Sequence, residues 1–183
     1  MGRDKALLAV DGVPMARRAA DALVAAGVPV GAVVLVGGSP AWAEELGLRW
    51  TPDRWPGEGP LGGLATAVLD GPAAAGVGPD PGAIVVVAAC DQPWLTGSSL
   101  AELIRALVVS PAAASAASTP PGGRREPFPS AWRSGVGAVL EALVAAGERR
   151  ADAAYGAVEV VDVAVPRRVV ADVDRPGDLP PVP

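Results

Sequence analysis

The sequence contains no histidine and a single cysteine, Cys90. Without imidazole, the usual zinc sites and the Ser–His–Asp and Cys–His triads cannot be assembled. One thiol cannot close an internal disulfide, so packing has to hold the fold together. Asparagine is absent, and of the 15 cationic residues only Lys5 is a lysine. We read that skew as a compositional bias of the source genome; it also makes Lys5 a cation of its own kind. Long apolar runs are missing too. The longest, Ala83 to Cys90, has eight residues, against the ~20 that span a bilayer. Between Lys5 and Asp11 stand only five apolar residues, too few for the core of a secretion signal. A cytoplasmic location without a membrane partner is expected. A basic excess is lacking as well: the net charge is −5 and the pI about 4.7, which argues against a nucleic-acid-binding surface. A small anionic substrate needs only a few cations that converge locally.

What is present suits one globular domain. The chain has 183 residues, half of them apolar and 19% charged, a length and balance that bury a core without metal or disulfide. Its 23 glycines and 20 prolines are spread between apolar runs. Pro14 to Ala26 has apolar residues at near-helical spacing, followed by Gly27. Ala32 to Val36 reads as a buried strand closed by Gly37-Gly38, and Pro40 to Leu46 as a short helix. GEGPLGG, residues 57–63, is a glycine-rich loop leading into a helix from about Leu64 to Leu69. Ala83 to Ala89 is the strongest strand signal, apolar throughout as in a central strand covered on both faces. Ser98 to Val109 reads as a helix with Ser99 as cap and Glu102 three residues on. Pro111 to Ser118 fits an alanine-rich strand, Gly135 to Ala146 a helix, Val158 to Val165 an edge strand and Val169 to Val173 a last strand. Strands alternating with helices give an α/β sandwich around a mostly parallel sheet. In such sheets ligands bind beyond the carboxyl ends of the strands.

That rule ranks the candidate residues. Asp91 directly follows the central strand, where a carboxylate is costly unless paired; it suits a Mg²⁺ ligand or a cap. Asp172 and Asp174 alternate onto one side of the last segment and fit either a second metal contact or a turn. Asp53 ends a short extended segment, where turn chemistry alone accounts for it. The GEGPLGG loop lets backbone approach a ligand closely, but it matches neither the P-loop nor the dinucleotide fingerprint. The arginine pairs 17–18, 124–125, 149–150 and 167–168 read as solvated faces, and Cys90 as a packed thiol.

Taken in order, the segments MGRDKALLAVDGVPM, PDRWPGEGPLGGLATAV, VVVAACDQPWL, AGERR and DVDRPGDL resemble molybdenum cofactor guanylyltransferases of the MobA type over nearly the whole chain. The resemblance implies a three-layer, Rossmann-like nucleotidyltransferase fold with a mostly parallel sheet, as one domain over residues 1–183. It implies transfer of GMP from GTP to the terminal phosphate of molybdopterin, with pyrophosphate released. Lys5 would be the catalytic cation on the GTP phosphates and Asp53 a nucleotide contact. Asp91 would bind Mg²⁺ and the nucleotide, and Asp174, standing where the family usually has Asn, would add a metal contact. The implied cofactor is Mg²⁺; the implied partners are GTP, molybdopterin and proteins that deliver the cofactor to molybdoenzymes. Such chemistry is positioning and charge neutralisation, which need no histidine. Molybdopterin cytidylyltransferases are the sister alternative; GPLGG resembles the guanylyl version, with Pro60-Leu61 beside the base. Family members carry a buried strand and a LAGGxSxR loop ahead of MGxDK, whereas this sequence opens at that Met. The expectation is a start placed at an internal Met of a longer protein; the alternative is an inactive short form that acts as a binding partner.

Overall fold

In a computed structural model that describes residues 5–173, the chain opens with a 3-10 turn at Lys5–Leu7 and a small hairpin of β1 (Ala9–Val10) and β2 (Val13–Pro14). Asp11 and Gly12 take φ of 52° and 77°, the left-handed pair that a two-residue hairpin turn requires. Helix α1 (Met15–Ala25) follows, and Gly27 ends it at φ 98°. Next come β3 (Val34–Val36), α2 (Pro40–Leu46) and β4 (Arg49–Thr51). Ser39 caps α2 by accepting the Ala41 N–H, and Gly47 closes it in the left-handed conformation. Then follow α3 (Pro60–Ala74), β5 (Ile84–Val87), α4 (Gly97–Val109), β6 (Ser115–Thr119), β7 (Glu126–Arg133), α5 (Gly137–Ala145) and β8 (Val160–Ala164).

The strands pair as β3 with β4, in parallel, and as a four-stranded sheet in the order β5-β7-β6-β8. Strand β7 is antiparallel to both its neighbours, and only β6 and β8 run in parallel. The fold is α/β, but this sheet is mixed rather than mostly parallel, and β5, expected as a central strand, stands at its edge. The cause is β7, whose sequence EPFPSAWR hides its strand character behind Pro127 and Pro129. Both prolines lie where the register slips: Ala117 pairs with Ser130 but Ser118 with Glu126. A bulge is where a strand tolerates residues without an N–H.

Alternation along the strands sorts the side chains into two cores. Trp132, Ala117, Val87 and Val160 meet α3 and α5 on one face. There Trp132 stacks on Tyr155 with ring centroids 5.4 Å apart. Val86, Ala131, Ala116 and Val161 meet α1 and α4 on the other. Three layers result.

Three boundaries differ from expectation. Helix α3 begins at Pro60, inside the glycine-rich loop, because Pro is preorganised for a helix's first position, and it runs on to Ala74. Helix α4 is capped by Thr96, whose hydroxyl accepts the Ser99 N–H at 3.2 Å; Ser99 is two residues inside. Residues Arg167–Val170 form a 3-10 turn rather than a strand. No helix among the described residues is long and apolar enough to cross a membrane.

Candidate functional site

The carboxyl ends of β3 and β5 and the first turn of α3 open on a cavity of about 560 Å³. Asp91, Gln92, Glu126 and Asp172 supply its polar wall. Each is brought there by a different constraint. Asp91 lies on the turn that ends β5, and its carbonyl accepts the Val173 N–H at 2.9 Å. That bond lays the segment after the 3-10 turn against the end of β5 and brings Asp172 to the same cavity.

Gln92 is buried and acts as a clamp. Its Nε2 donates to the Phe128 carbonyl at 3.0 Å and the Val170 carbonyl at 3.3 Å, with Asp172 Oδ1 at 3.5 Å. One amide thus links the end of β5, the bulge of β7 and the 170–172 segment. Its Oε1 is buried with no hydrogen-bond partner among the described residues, a cost of about 1–3 kcal/mol that the fold accepts at this wall. The adjoining loop is held from outside. Arg18 donates from Nε to the Pro93 carbonyl and from Nη1 to the Val10 carbonyl, while the Arg168 guanidinium sits 5.4 Å from the Trp94 ring centroid.

Asp53 stands beyond the end of β4, next to Gly37. Its Oδ1 accepts the Trp55 N–H at 3.0 Å and lies 2.9 Å from the Thr66 hydroxyl. It is not among the residues that line the cavity. The turn reading of Asp53 is therefore satisfied by its hydrogen bonds. Asp174 and the Lys5 side chain lie outside what the structure describes; the Lys5 backbone begins the opening 3-10 turn. Cys90 packs with Ala6, Ala16 and Leu46, as a packed thiol should.

Two motifs that read separately in the sequence clasp each other. The Arg149 carbonyl accepts the Leu61 N–H at 3.1 Å, and the Arg149 side chain pairs with Glu58. A Cβ on Gly59 would stand 2.9 Å from that carbonyl, and Gly59 has φ 79°. A Cβ on Gly62 would press on Trp55 at 3.1 Å. The loop's glycines at 59 and 62 are thus demanded by packing as well as by access. Glu148 accepts the N–H groups of Arg149 and Arg150, which holds its carboxyl below the usual carboxylate range.

No group of three His, Cys, Asp or Glu side chains that could hold a metal occurs among the described residues. Asp91, Glu126 and Asp172 are the carboxylates on the cavity's wall. Sequence reasoning singled out Asp91, left Asp172 open between turn and metal contact, and missed Gln92 and Glu126. The only signal for Gln92 was its place directly after Asp91.

Residues 1–160 match the MobA-like NTP transferase domain. Over 181 residues, 98% of this chain and 86% of the relative, the sequence is 33% identical to a Rhodobacter capsulatus protein named molybdenum cofactor guanylyltransferase. The fold is similar to that of molybdopterin-guanine dinucleotide biosynthesis protein A from Archaeoglobus fulgidus, with a TM-score of 0.71 and 17% identity over 97% of this chain and 87% of that one. It is also similar to a Mycobacterium tuberculosis H37Rv protein solved in complex with manganese, with a TM-score of 0.64 and 22% identity over 97% and 90%.

Proposed function

Given that the chain belongs to the MobA-like NTP transferase family, we propose that it makes a guanine dinucleotide cofactor by transferring GMP from GTP to molybdopterin. A terminal phosphate oxygen of molybdopterin attacks the α-phosphorus of GTP; the new P–O bond forms as the bond to the β-phosphate breaks, and pyrophosphate leaves. The observation that carries this reading is the placement of Asp91 and Asp172 on one cavity at the carboxyl end of β5. The identity to a relative named for this activity supports the choice of substrates.

The cavity's carboxylates, Asp91, Glu126 and Asp172, are the donor type of a hard divalent cation that fills its other positions with water and substrate phosphates. Asp91 would hold Mg²⁺ and Asp174 would add a contact, and a solved neighbour's manganese complex supports a divalent ion. When bound, the ion supplies charge neutralisation to the phosphate oxygens. The chain's own residues do the positioning. Lys5 places a cation on the GTP phosphates, and Asp53 contacts the nucleotide. Gln92 fixes the Asp172 segment, and the Arg149–Glu58 clasp holds the loop at the start of α3. Histidine has no step to perform, because phosphoryl-type transfer is carried by alignment and electrostatics.

The test incubates the purified protein with molybdopterin, Mg²⁺ and α-labelled GTP or CTP, and measures labelled dinucleotide and pyrophosphate. GTP is the expected donor. Asp91→Ala should lower turnover by about 100-fold or more with the thermal midpoint unchanged. Full turnover in that variant would refute the role of Asp91, and preference for CTP would refute the choice of base.

A further inference from the structure

Three arginine pairs, at 124–125, 149–150 and 167–168, come from separate stretches of sequence, and the fold gathers them at one end. Val87, which closes β5, pairs with Ser130 beside the bulge of β7, and Glu126, which opens β7, pairs with Ser118. Thr119 and Ala164, the last residues of β6 and β8, pair with each other. The turn that precedes Arg124 and the turn that carries Arg167 therefore emerge at the end of the sheet where Asp91 follows β5. The two turns are tied, because Arg167 Nη2 donates to the Pro121 carbonyl at 2.6 Å. Arg149 and Arg150 join from the α3 side, where the Arg149 carbonyl accepts the Leu61 N–H. In a chain of net charge −5, this is a cationic rim. It stands beside a cavity whose described lining residues include carboxylates and no cation.

Three of these arginines are engaged by carboxylates. Arg125 donates to both oxygens of Asp162 and Arg150 to both of Asp152, while Arg149 pairs with Glu58. Arg168 lies over the Trp94 ring. Arg124 and Arg167 differ. Both are exposed, and neither forms an ion pair with another described residue. Arg124 stands two residues before Glu126, which lines the cavity, so at most about 7 Å of chain separates their Cα atoms. The nearby Asp152 is already taken. Bonds from Arg150 hold its carboxyl below the usual carboxylate range, and the charge of Arg124 adds to that effect.

The direction of attack assigns the rim to one substrate. On the reading proposed above, Lys5, Asp53 and the glycine loop hold the nucleotide. Ala6, next to Lys5, packs with Leu46 of α2 and with Cys90, on the side of the cavity away from β7. Nucleophile and leaving pyrophosphate stand roughly in line across the α-phosphorus, so the acceptor enters from the β7 side, where the rim is. That acceptor is an anion. It has to approach a triphosphate past Asp91, Glu126 and Asp172, and one divalent ion does not offset all of those charges.

We propose that Arg124 and Arg167 bind the anionic groups of the acceptor, a pterin phosphate, and not the nucleotide. The inference rests on the proposed transfer reaction. A guanidinium suits the task because its planar fork of donors matches a phosphate or similar oxyanion.

The test measures molybdopterin binding by anaerobic calorimetry without nucleotide, on the parent, Arg124→Gln, Arg167→Gln and the double variant. Each single variant should bind at least ~10-fold more weakly, and the double variant should lose most of the salt dependence of binding. Arg124→Lys should recover part of the loss, since it keeps the charge without the fork. Arg105→Gln, an exposed change on α4, should bind like the parent. The KM for GTP should stay unchanged in all of them, with thermal midpoints close to the parent's. Binding that is equal in every variant, or absent in the parent, would overturn the proposal. So would a raised KM for GTP with molybdopterin binding intact, which would assign the rim to the nucleotide. Dinucleotide formation with arginine-independent binding would sink this inference alone. Arginine-dependent binding without any dinucleotide would uphold it and sink the proposed transfer.

Discussion

Replacing Thr66 by valine tests whether Asp53 is built into the fold. Thr66 is fully buried on α3. Its hydroxyl accepts the Arg54 N–H at 3.1 Å, and it lies 2.9 Å from Asp53 Oδ1 and 3.0 Å from the Gly62 carbonyl. Valine keeps the shape and removes all of these. The Arg54 N–H loses its acceptor, at about 1 kcal/mol for a part-buried amide, and the carboxylate loses a donor worth about 1.5–3 kcal/mol. Removing a buried hydroxyl returns part of that, which leaves a net loss of about 2 kcal/mol. With a urea slope of about 2–3 kcal/mol/M, the unfolding midpoint should fall by about 0.7–1 M at constant slope. Thr66→Ser, which keeps the hydroxyl and deletes one methyl, should cost about 1 kcal/mol or less. The order decides the matter, because a merely apolar site would tolerate valine and resent serine. Asp53→Asn and Thr66→Val should also be non-additive by at least ~0.5 kcal/mol in a double-mutant cycle. A valine variant as stable as the parent, or a serine variant worse than it, would refute the network.

Gly59→Ala should lower stability by about 1–3 kcal/mol, since φ 79° with ψ −177° suits glycine alone and the new Cβ would meet the Arg149 carbonyl. Gly63→Ala, in open space on the same helix, should be neutral or stabilising in the same melting assay. Asp162 accepts two bonds from Arg125, at 2.7 and 2.9 Å, and one from Thr119, and the guanidinium holds its carboxyl below the usual carboxylate range. A depressed folded value means that its contribution is present above the unfolded pKa of about 3.9 and is lost as pH falls through the folded one. Both partners are largely exposed, so Asp162→Asn should cost less than about 1 kcal/mol at pH 7. The gap to the parent should close below about pH 4 in unfolding curves taken across pH. Tyr155 is the chain's only tyrosine, and burial pushes its phenol upward. Phenolate absorbance should therefore appear above pH 10 in one step with unfolding, and a separate earlier ionisation would refute its burial.

Strands and helices with one clear period were legible in the residues. Ile84–Val87 announces a strand because it is apolar at every position, and α1 announces itself by its spacing and by Gly27. The mixed sheet was hidden because β7 carries Pro127 and Pro129, which lower any local strand signal; what makes β7 a strand is its place between β5 and β6. The apparent last strand failed for the reverse reason. Val169 and Val173 are buried and give the segment a strand's composition, but Arg167–Val170 pairs with no strand among the described residues and turns instead.

The site was legible only where it follows from topology. A carboxylate directly after a strand of an α/β fold stands at the ligand end of the sheet, so Asp91 could be ranked from the sequence alone. Gln92 could not, because its three carbonyl and carboxylate partners lie 36 to 80 residues away, and no local pattern encodes such a clamp. Arg149 lies farther still in sequence from the glycine loop that it holds. Sequence spacing displays residues that touch a ligand from the ends of strands, whereas residues that hold those ends together become visible only when the layers are assembled. Gln92 belongs to the second kind. Its unmatched Oε1 marks it as a group retained at a stability cost, in a wall where a leucine of similar size would pack without one. That cost is understandable if the clamp's task is to keep Asp172 and Asp91 on the same cavity.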